Sequence, residues 1–72
     1  MTLTMNFLLL GSHPTVNCIP SFVASGGDPY FVPIVGDKIA NGANYWVIAE
    51  RIVGSGDEGQ WIDFWCNPTT GP

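Results

Sequence analysis

Residues 60–67 read QWIDFWCN, and the alternation of side chains along this octapeptide indicates the fold class. Successive side chains of a β-strand point to opposite faces of the sheet. The two faces here consist of Ile62, Phe64 and Cys66 on one side and of Trp61, Asp63 and Trp65 on the other. We therefore predict a strand with Ile62 and Phe64 in the core. Trp61 and Trp65 either cover one end of that core or form an exposed aromatic strip.

A second run with a period of two begins near the N-terminus. Its apolar positions Leu3, Met5, Phe7 and Leu9 alternate with Thr2, Thr4 and Asn6. This pattern is typical of a half-buried strand over residues 2–10. Residues 16–24 are a weaker candidate. Because Pro20 has no N–H to donate to a ladder, we expect this segment at an edge or a bulge. The loop SGGDP at 25–29 follows, and residues 30–39, which include Pro33, are again expected to be extended.

The segment 43–53 has two readings. Its apolar residues Tyr45, Ile48, Ala49, Ile52 and Val53 have helical spacing, and Asn44 is a suitable N-cap. The segment is also rich in aromatic and β-branched residues and lies between two turn signals, which favours a strand. The first signal is Asn41-Gly42, a type I′ hairpin dipeptide, and the second is the acidic glycine-rich loop at 54–59.

These elements predict one all-β domain over residues 1–67, followed by a tail at 68–72. We expect a small five-stranded barrel or a strongly bent antiparallel sheet, since a flat sheet of five short strands would leave its edges open. The alternative is an α+β fold with a helix at 43–53.

Residues 33–39 read PIVGDKI, and after a turn residues 45–47 read YWV. This arrangement resembles the P-x-x-G-D-x-I…Y-x-V pattern of small SH3-like barrels, which occur in bacterial accessory proteins and in short phage-encoded proteins. The resemblance covers the central third of the chain. It implies a barrel fold and no particular activity. The Gly-Asp pair itself is suited to a sharp turn into a strand, because aspartate bonds to nearby amides.

The composition identifies a folded chain and limits its partners. Hydrophobic residues make up 46% of the 72 residues and charged residues 11%, with a net charge of −4. Disordered chains have the opposite balance. Lys38 and Arg51 are the two basic residues, so the clustered positive charge that nucleic acids and anionic membranes require is missing. An acidic surface of this kind favours a basic protein partner.

The residues that could carry chemistry are few. His13 is the one histidine, and its pairing with Cys18 as a nucleophile has only their proximity in sequence to support it. Cys18 and Cys66 are expected to be buried thiols rather than a disulfide or metal ligands. We predict no metal and no cofactor. Residues 5–11, MNFLLLG, lack the basic flank of a signal peptide, so we expect a cytoplasmic protein without a membrane span.

The sequence favours a non-catalytic protein–protein interaction module that binds itself and another protein. In its narrower form this is a phage-encoded inhibitor of a host or defence protein. The predicted binding residues are Tyr45, Trp46, Trp61, Asp63 and Trp65. The alternative is an oligomer that binds a sugar or a nucleobase by aromatic stacking, and an enzyme is the third possibility.

Overall fold

The alternating segments form strands throughout the computed structural model, which describes residues 2–25, 31–57 and 59–71. The five strands are β1 (Thr2–Leu9), β2 (Asn17–Ser25), β3 (Lys38–Asn41), β4 (Asn44–Gly56) and β5 (Gly59–Thr69). No helix occurs among the described residues. The all-β class is confirmed, and the segment 43–53 lies in β4 rather than in the alternative helix. No helix that could cross a membrane is present in these three ranges.

The sheet has the strand order β2-β1-β5-β4-β3. Three of its neighbouring pairs are antiparallel, but β1 and β5 are parallel, with Met5 opposite Ile62 and Phe7 opposite Phe64. The sheet is therefore mixed, with one parallel pair at its centre. β5 carries apolar side chains on both faces, whereas the face of β1 that points away from the core carries Thr2, Thr4 and Asn6. The other face of each of these two strands packs in the core.

The core lies on the concave face of this sheet. Its buried members are Met5, Phe7, Ile48, Ile62, Phe64 and Cys66. The rings of Phe7 and Phe64 stack with their centroids 4.9 Å apart, in the range that aromatic pairs prefer. The prediction that Ile62 and Phe64 face the core is confirmed, because both are buried.

The two end strands approach one another and make the sheet a nearly closed barrel. In a flat sheet of this order, β2 and β3 would lie four strand spacings apart, roughly 19 Å. Ile19 and Phe22 of β2 instead line the same cleft as Ile39 of β3. The sheet must therefore curl until its ends face each other. This shape is consistent with the small SH3-like barrel predicted above.

The predicted hairpin between β3 and β4 is present, but its turn is shifted by one residue. Asn41 pairs with Asn44, so Gly42 and Ala43 are the central residues. Gly42 has a φ of 64°, whereas no described residue other than glycine has a positive φ. A turn with positive φ at its first central residue alone is of the II′ kind, so the predicted type I′ geometry is wrong.

Of the described residues 31–39 in the predicted extended segment, only Lys38 and Ile39 are in a strand. Residues 31–37 form a loop in which Asp37 Oδ2 accepts a hydrogen bond of 2.9 Å from the N–H of Ile34. Gly36 has a φ of 97° and donates its N–H to Ile48 O at 2.9 Å. The missing N–H of Pro33 and the positive φ of Gly36 both prevent a regular ladder here. Residue 30 and the predicted loop residues 26–29 lie outside the described residues.

The last two strands extend beyond their predicted limits. Gly56 pairs with Gly59, so β4 and β5 include most of the expected loop at 54–59. Asp57 lies in a turn, and Glu58 lies outside the described residues. β5 also continues to Thr69, two residues into the expected tail. Lys38 Nζ donates to Thr70 O at 3.3 Å, which fastens the end of the described chain to β3.

Candidate binding site

The convex side of β5 carries three of the predicted binding residues. Trp61, Asp63 and Trp65 alternate with the buried residues of that strand, so they point away from the core. On the neighbouring strand β4, Trp61 lies opposite Gly54 and Asp63 lies opposite Ile52. We call this side of the sheet the outer face.

The indole ring of Trp61 lies flat on the neighbouring strand. A Cβ atom added to Gly54 would overlap the indole atoms Cζ2, Cε2 and Cη2 of Trp61. Only glycine leaves room for the ring at this position. One side of the indole therefore packs on the β4 backbone, while the residue as a whole remains 37% exposed.

A row of polar side chains crosses the outer face and fixes Asp63. Asn6 Nδ2 donates to Asp63 Oδ1 at 2.9 Å, and Ser21 Oγ donates to Asn6 Oδ1 at 2.8 Å. Asn17 Nδ2 donates in turn to Ser21 Oγ at 3.1 Å. The row links β5, β1 and β2. The hydrogen bond from Asn6 therefore fixes the orientation of the Asp63 carboxylate on the outer face.

The two remaining predicted binding residues, Tyr45 and Trp46, point to opposite faces of β4. Trp46 pairs with Ile39 and packs against the core, and its buried Nε1 has no hydrogen-bond partner among the described residues. Tyr45 lies opposite Thr69, on the side of Trp65. From Trp65 to Thr69 is about 13 Å along a strand. The structure therefore groups Trp61, Asp63 and Trp65, places Tyr45 further along the same face and separates Trp46 from them.

A shallow pocket of about 400 Å³ adjoins Trp61 near the turn between β4 and β5. Asn6, Asp57 and Gln60 contribute its polar groups. The side chains of Asp57 and Gln60 make no hydrogen bond to other described residues. An exposed indole beside unused amide and carboxylate groups is an arrangement suited to a small polar ligand.

A second concavity, which no pattern in the sequence indicates, lies between the two ends of the sheet. This seam cleft has a volume of about 490 Å³ and is predominantly apolar. Its apolar side chains are Met5, Phe7, Ile19, Phe22, Phe31 and Ile39. Phe31 is 71% exposed at its margin. These residues are far apart in the sequence, so periodicity along any one strand does not bring them together.

The two thiols lie on the core side and are free cysteines. Burial, followed by the neighbouring Cys18, raises the pKa of Cys66 to about 12. Burial also raises the pKa of Cys18. The two thiols are hydrogen-bonded to each other, so they lie side by side on the core side of the sheet without a disulfide between them.

The described residues contain no group of three or more histidine, cysteine, aspartate or glutamate side chains that could hold a metal ion. His13 lies exposed in the connection between β1 and β2. The chain was compared with protein-family models, with curated proteins and with solved structures, and no significant match was found in any of the three comparisons.

Proposed function

We propose that this chain is a non-catalytic interaction protein that binds copies of itself and another protein through apolar surface of its sheet. The observation that carries this proposal is the outer face. There Val23, Ile52 and Trp61 are exposed although each lies within a regular strand. Tryptophan is enriched among the residues that dominate binding energy, and a ring already fixed on Gly54 loses little conformational freedom on binding.

The size and charge of the chain support both kinds of partner. A core in a 72-residue chain rarely contributes more than about 3–5 kcal/mol of stability, so association that buries further apolar surface is favourable. The net charge of −4 steers a basic partner toward the protein. In the narrower form of the proposal that partner is a host or defence protein, and the chain acts as its inhibitor.

The experiment is sedimentation velocity over a range of concentrations, with Trp61→Thr as the test variant. Threonine removes the indole but remains a good strand former. We expect the wild-type protein to exceed its monomer mass of 7.8 kDa. Trp61→Thr should weaken self-association by about 30-fold, which corresponds to the hot-spot threshold of 2 kcal/mol.

Two controls separate binding from folding. Val16→Thr makes a similar change at an exposed apolar residue outside the five strands and should leave association unchanged. Phe64→Ala removes a fully buried ring and should unfold the chain in circular dichroism, since such truncations cost about 3–5 kcal/mol. A wild-type protein that stays monomeric at all concentrations would contradict the self-association part of the proposal.

The pocket beside Trp61 favours a second candidate function, the binding of a neutral sugar or a nucleobase. Stacking on an aromatic ring is worth about 1–3 kcal/mol per base, and Asp57 and Gln60 could bond to polar groups of the ligand. Titration with neutral oligosaccharides and with free nucleobases, followed by tryptophan fluorescence, tests this candidate. Saturable binding that Trp61→Thr abolishes in a monomeric protein would favour it over the interaction module.

A further inference from the structure

β2 is an end strand whose outer edge has no strand partner in the described part of the chain. The sheet order places it beside β1 alone. Alternate N–H and C=O groups of an end strand point away from its neighbour and are ready to pair with another chain. Pro20 interrupts this edge, which leaves residues 21–24 as its regular part. Within that part Phe22 pairs with Met5 and Val23 with Thr4.

The two ends of the sheet differ in how they are protected. Natural proteins block end strands by making them short or by placing charges, especially lysine, on them. β3 has both features, since it contains four residues and begins with Lys38. β2 has nine residues and no charged side chain. Its Phe22 and Val23 are both exposed, one on each face.

The seam cleft lies directly beside residues 21–24, the part of this edge that follows Pro20. Phe22 belongs both to the regular part of the edge and to the wall of the cleft. An extended segment paired with residues 21–24 would span about 13 Å and would point every second side chain toward the cleft. The volume of about 490 Å³ is in the range of ligand-binding clefts, about 300–1,000 Å³.

We infer that the seam cleft and the β2 edge together bind an extended segment of another protein as an added strand. The segment carries apolar side chains at alternate positions and basic residues at its ends. Main-chain hydrogen bonds to residues 21–24 provide affinity, and the cleft selects the alternate side chains. The inference rests on the proposed interaction function and names the chemistry of the partner.

Charge and shape favour a foreign segment over a second copy of this chain. Two copies bring a net charge of −4 each and repel one another at long range, whereas a basic segment is attracted. A second folded copy would also have to fit its adjoining strands between β2 and β3. A single extended segment fits between the two ends of the curled sheet without such neighbours.

The test uses the full chain and a seven-residue probe peptide with lysine at both ends and valine alternating with threonine between them. Binding is followed by amide shifts and amide hydrogen exchange in nuclear magnetic resonance spectra. We expect residues 21–24 to shift and to gain protection, while the indole N–H of Trp61 stays unchanged. Methylation of alternate peptide nitrogens should weaken binding at least tenfold. Replacing the two terminal lysines of the peptide by glutamate should weaken binding several-fold at low salt.

A pair of adjacent variants separates the cleft from the outer face. Phe22→Thr removes the ring that lines the cleft and should weaken peptide binding at least tenfold. Val23→Thr alters the next residue of the same strand on the opposite face and should change binding less than twofold. Circular dichroism of both variants checks that each still folds.

Several results would overturn the inference. The first is no binding at millimolar peptide. The second is an equal loss of peptide affinity in Phe22→Thr and Val23→Thr. The third is a set of amide shifts confined to β3 or to Trp61. Protection of the amides of residues 21–24 that appears on raising the protein concentration alone, and that Trp61→Thr does not remove, would also overturn it, because a second copy would then occupy the edge. If peptide binding fails while Trp61→Thr still weakens association, the proposed function stands without the strand-addition site. If the peptide does not bind and Trp61→Thr does not weaken association, the strand-addition site and the proposed function both fail.

Discussion

Replacing Gly54 by alanine tests whether the ring of Trp61 is held on β4. Glycine in the interior of a strand is less favourable than alanine by roughly 0.5–1 kcal/mol. From propensity alone, Gly54→Ala should therefore stabilise the protein. The structure predicts the opposite sign, because the added Cβ would occupy the space of the indole.

The size of the effect follows from the area that the ring would lose. Trp61 is 37% exposed, so nearly two-thirds of its surface is covered. A buried aromatic side chain covers about 150–250 Å². If the ring swings outward and exposes about 100 Å², the loss is about 2.5 kcal/mol at 25 cal/mol per Å². After the gain in propensity, we expect a net destabilisation of about 2 kcal/mol, or a melting temperature lower by about 8–16 °C.

The assay is urea denaturation followed by far-ultraviolet circular dichroism on four proteins. These are the wild type, Gly54→Ala, Trp61→Thr and the double variant. With the indole removed, the alanine should be neutral or stabilising, so the cycle should show a coupling of about 2–3 kcal/mol. A Gly54→Ala protein that is more stable than the wild type would refute the reasoning. An equal effect of the alanine in both backgrounds would also refute it.

Two further predictions concern the core and the loop before β3. The Cys66 thiol, whose pKa burial raises to about 12 from 9.0, keeps its proton in the folded state while the unfolded thiol ionises near pH 9. The free energy of unfolding should be insensitive to this group below pH 9 and then fall by up to about 1.4 kcal/mol per pH unit toward pH 12. Urea midpoints from pH 7 to 10.5 should show a smaller fall for Cys66→Ala. Gly36→Ala should cost about 1–2 kcal/mol in thermal denaturation, because its φ of 97° disfavours a side chain although the space is open. The matched control is Gly56→Ala, which also has open space but no positive φ, and equal losses for the two would contradict this explanation.

Alternation along the chain was enough to predict β1, β5 and the orientation of the β5 side chains. The same alternation, applied to β4, separates Tyr45 from Trp46. Trp46 has the same parity as the buried Ile48, so the period of two already placed Trp46 on the core side and Tyr45 on the other. The shifted turn at Gly42 was harder to predict, because Asn41-Gly42 and Gly42-Ala43 are both acceptable central pairs and the pairing of Asn41 with Asn44 decides between them.

The parallel pairing of β1 with β5 and the seam cleft could not be predicted in the same way. Both depend on contacts between segments that are distant in sequence, and no local pattern of side chains determines which strands become neighbours. Prediction from propensity also failed for residues 31–37. Their apolar side chains suit a strand, but Pro33 and Gly36 fix a backbone that cannot form a regular ladder.

The open seam has a physical origin in how this short chain distributes its apolar residues. β5, which has apolar side chains on both faces, and β1, whose apolar face lies in the core, are at the centre of the sheet, where the core residues Met5, Phe7 and Phe64 meet. The end strands have less apolar surface to bury. Pro20 interrupts β2, and β3 has only four residues. Closing the barrel would require a ladder between these two ends, and neither end presents a long regular edge to the other. The chain therefore gains most of its stability at the centre and leaves Phe22 and Phe31 exposed beside the cleft. An added strand would supply the missing ladder and cover these rings, which is why the same feature that limits the stability of the isolated domain favours binding.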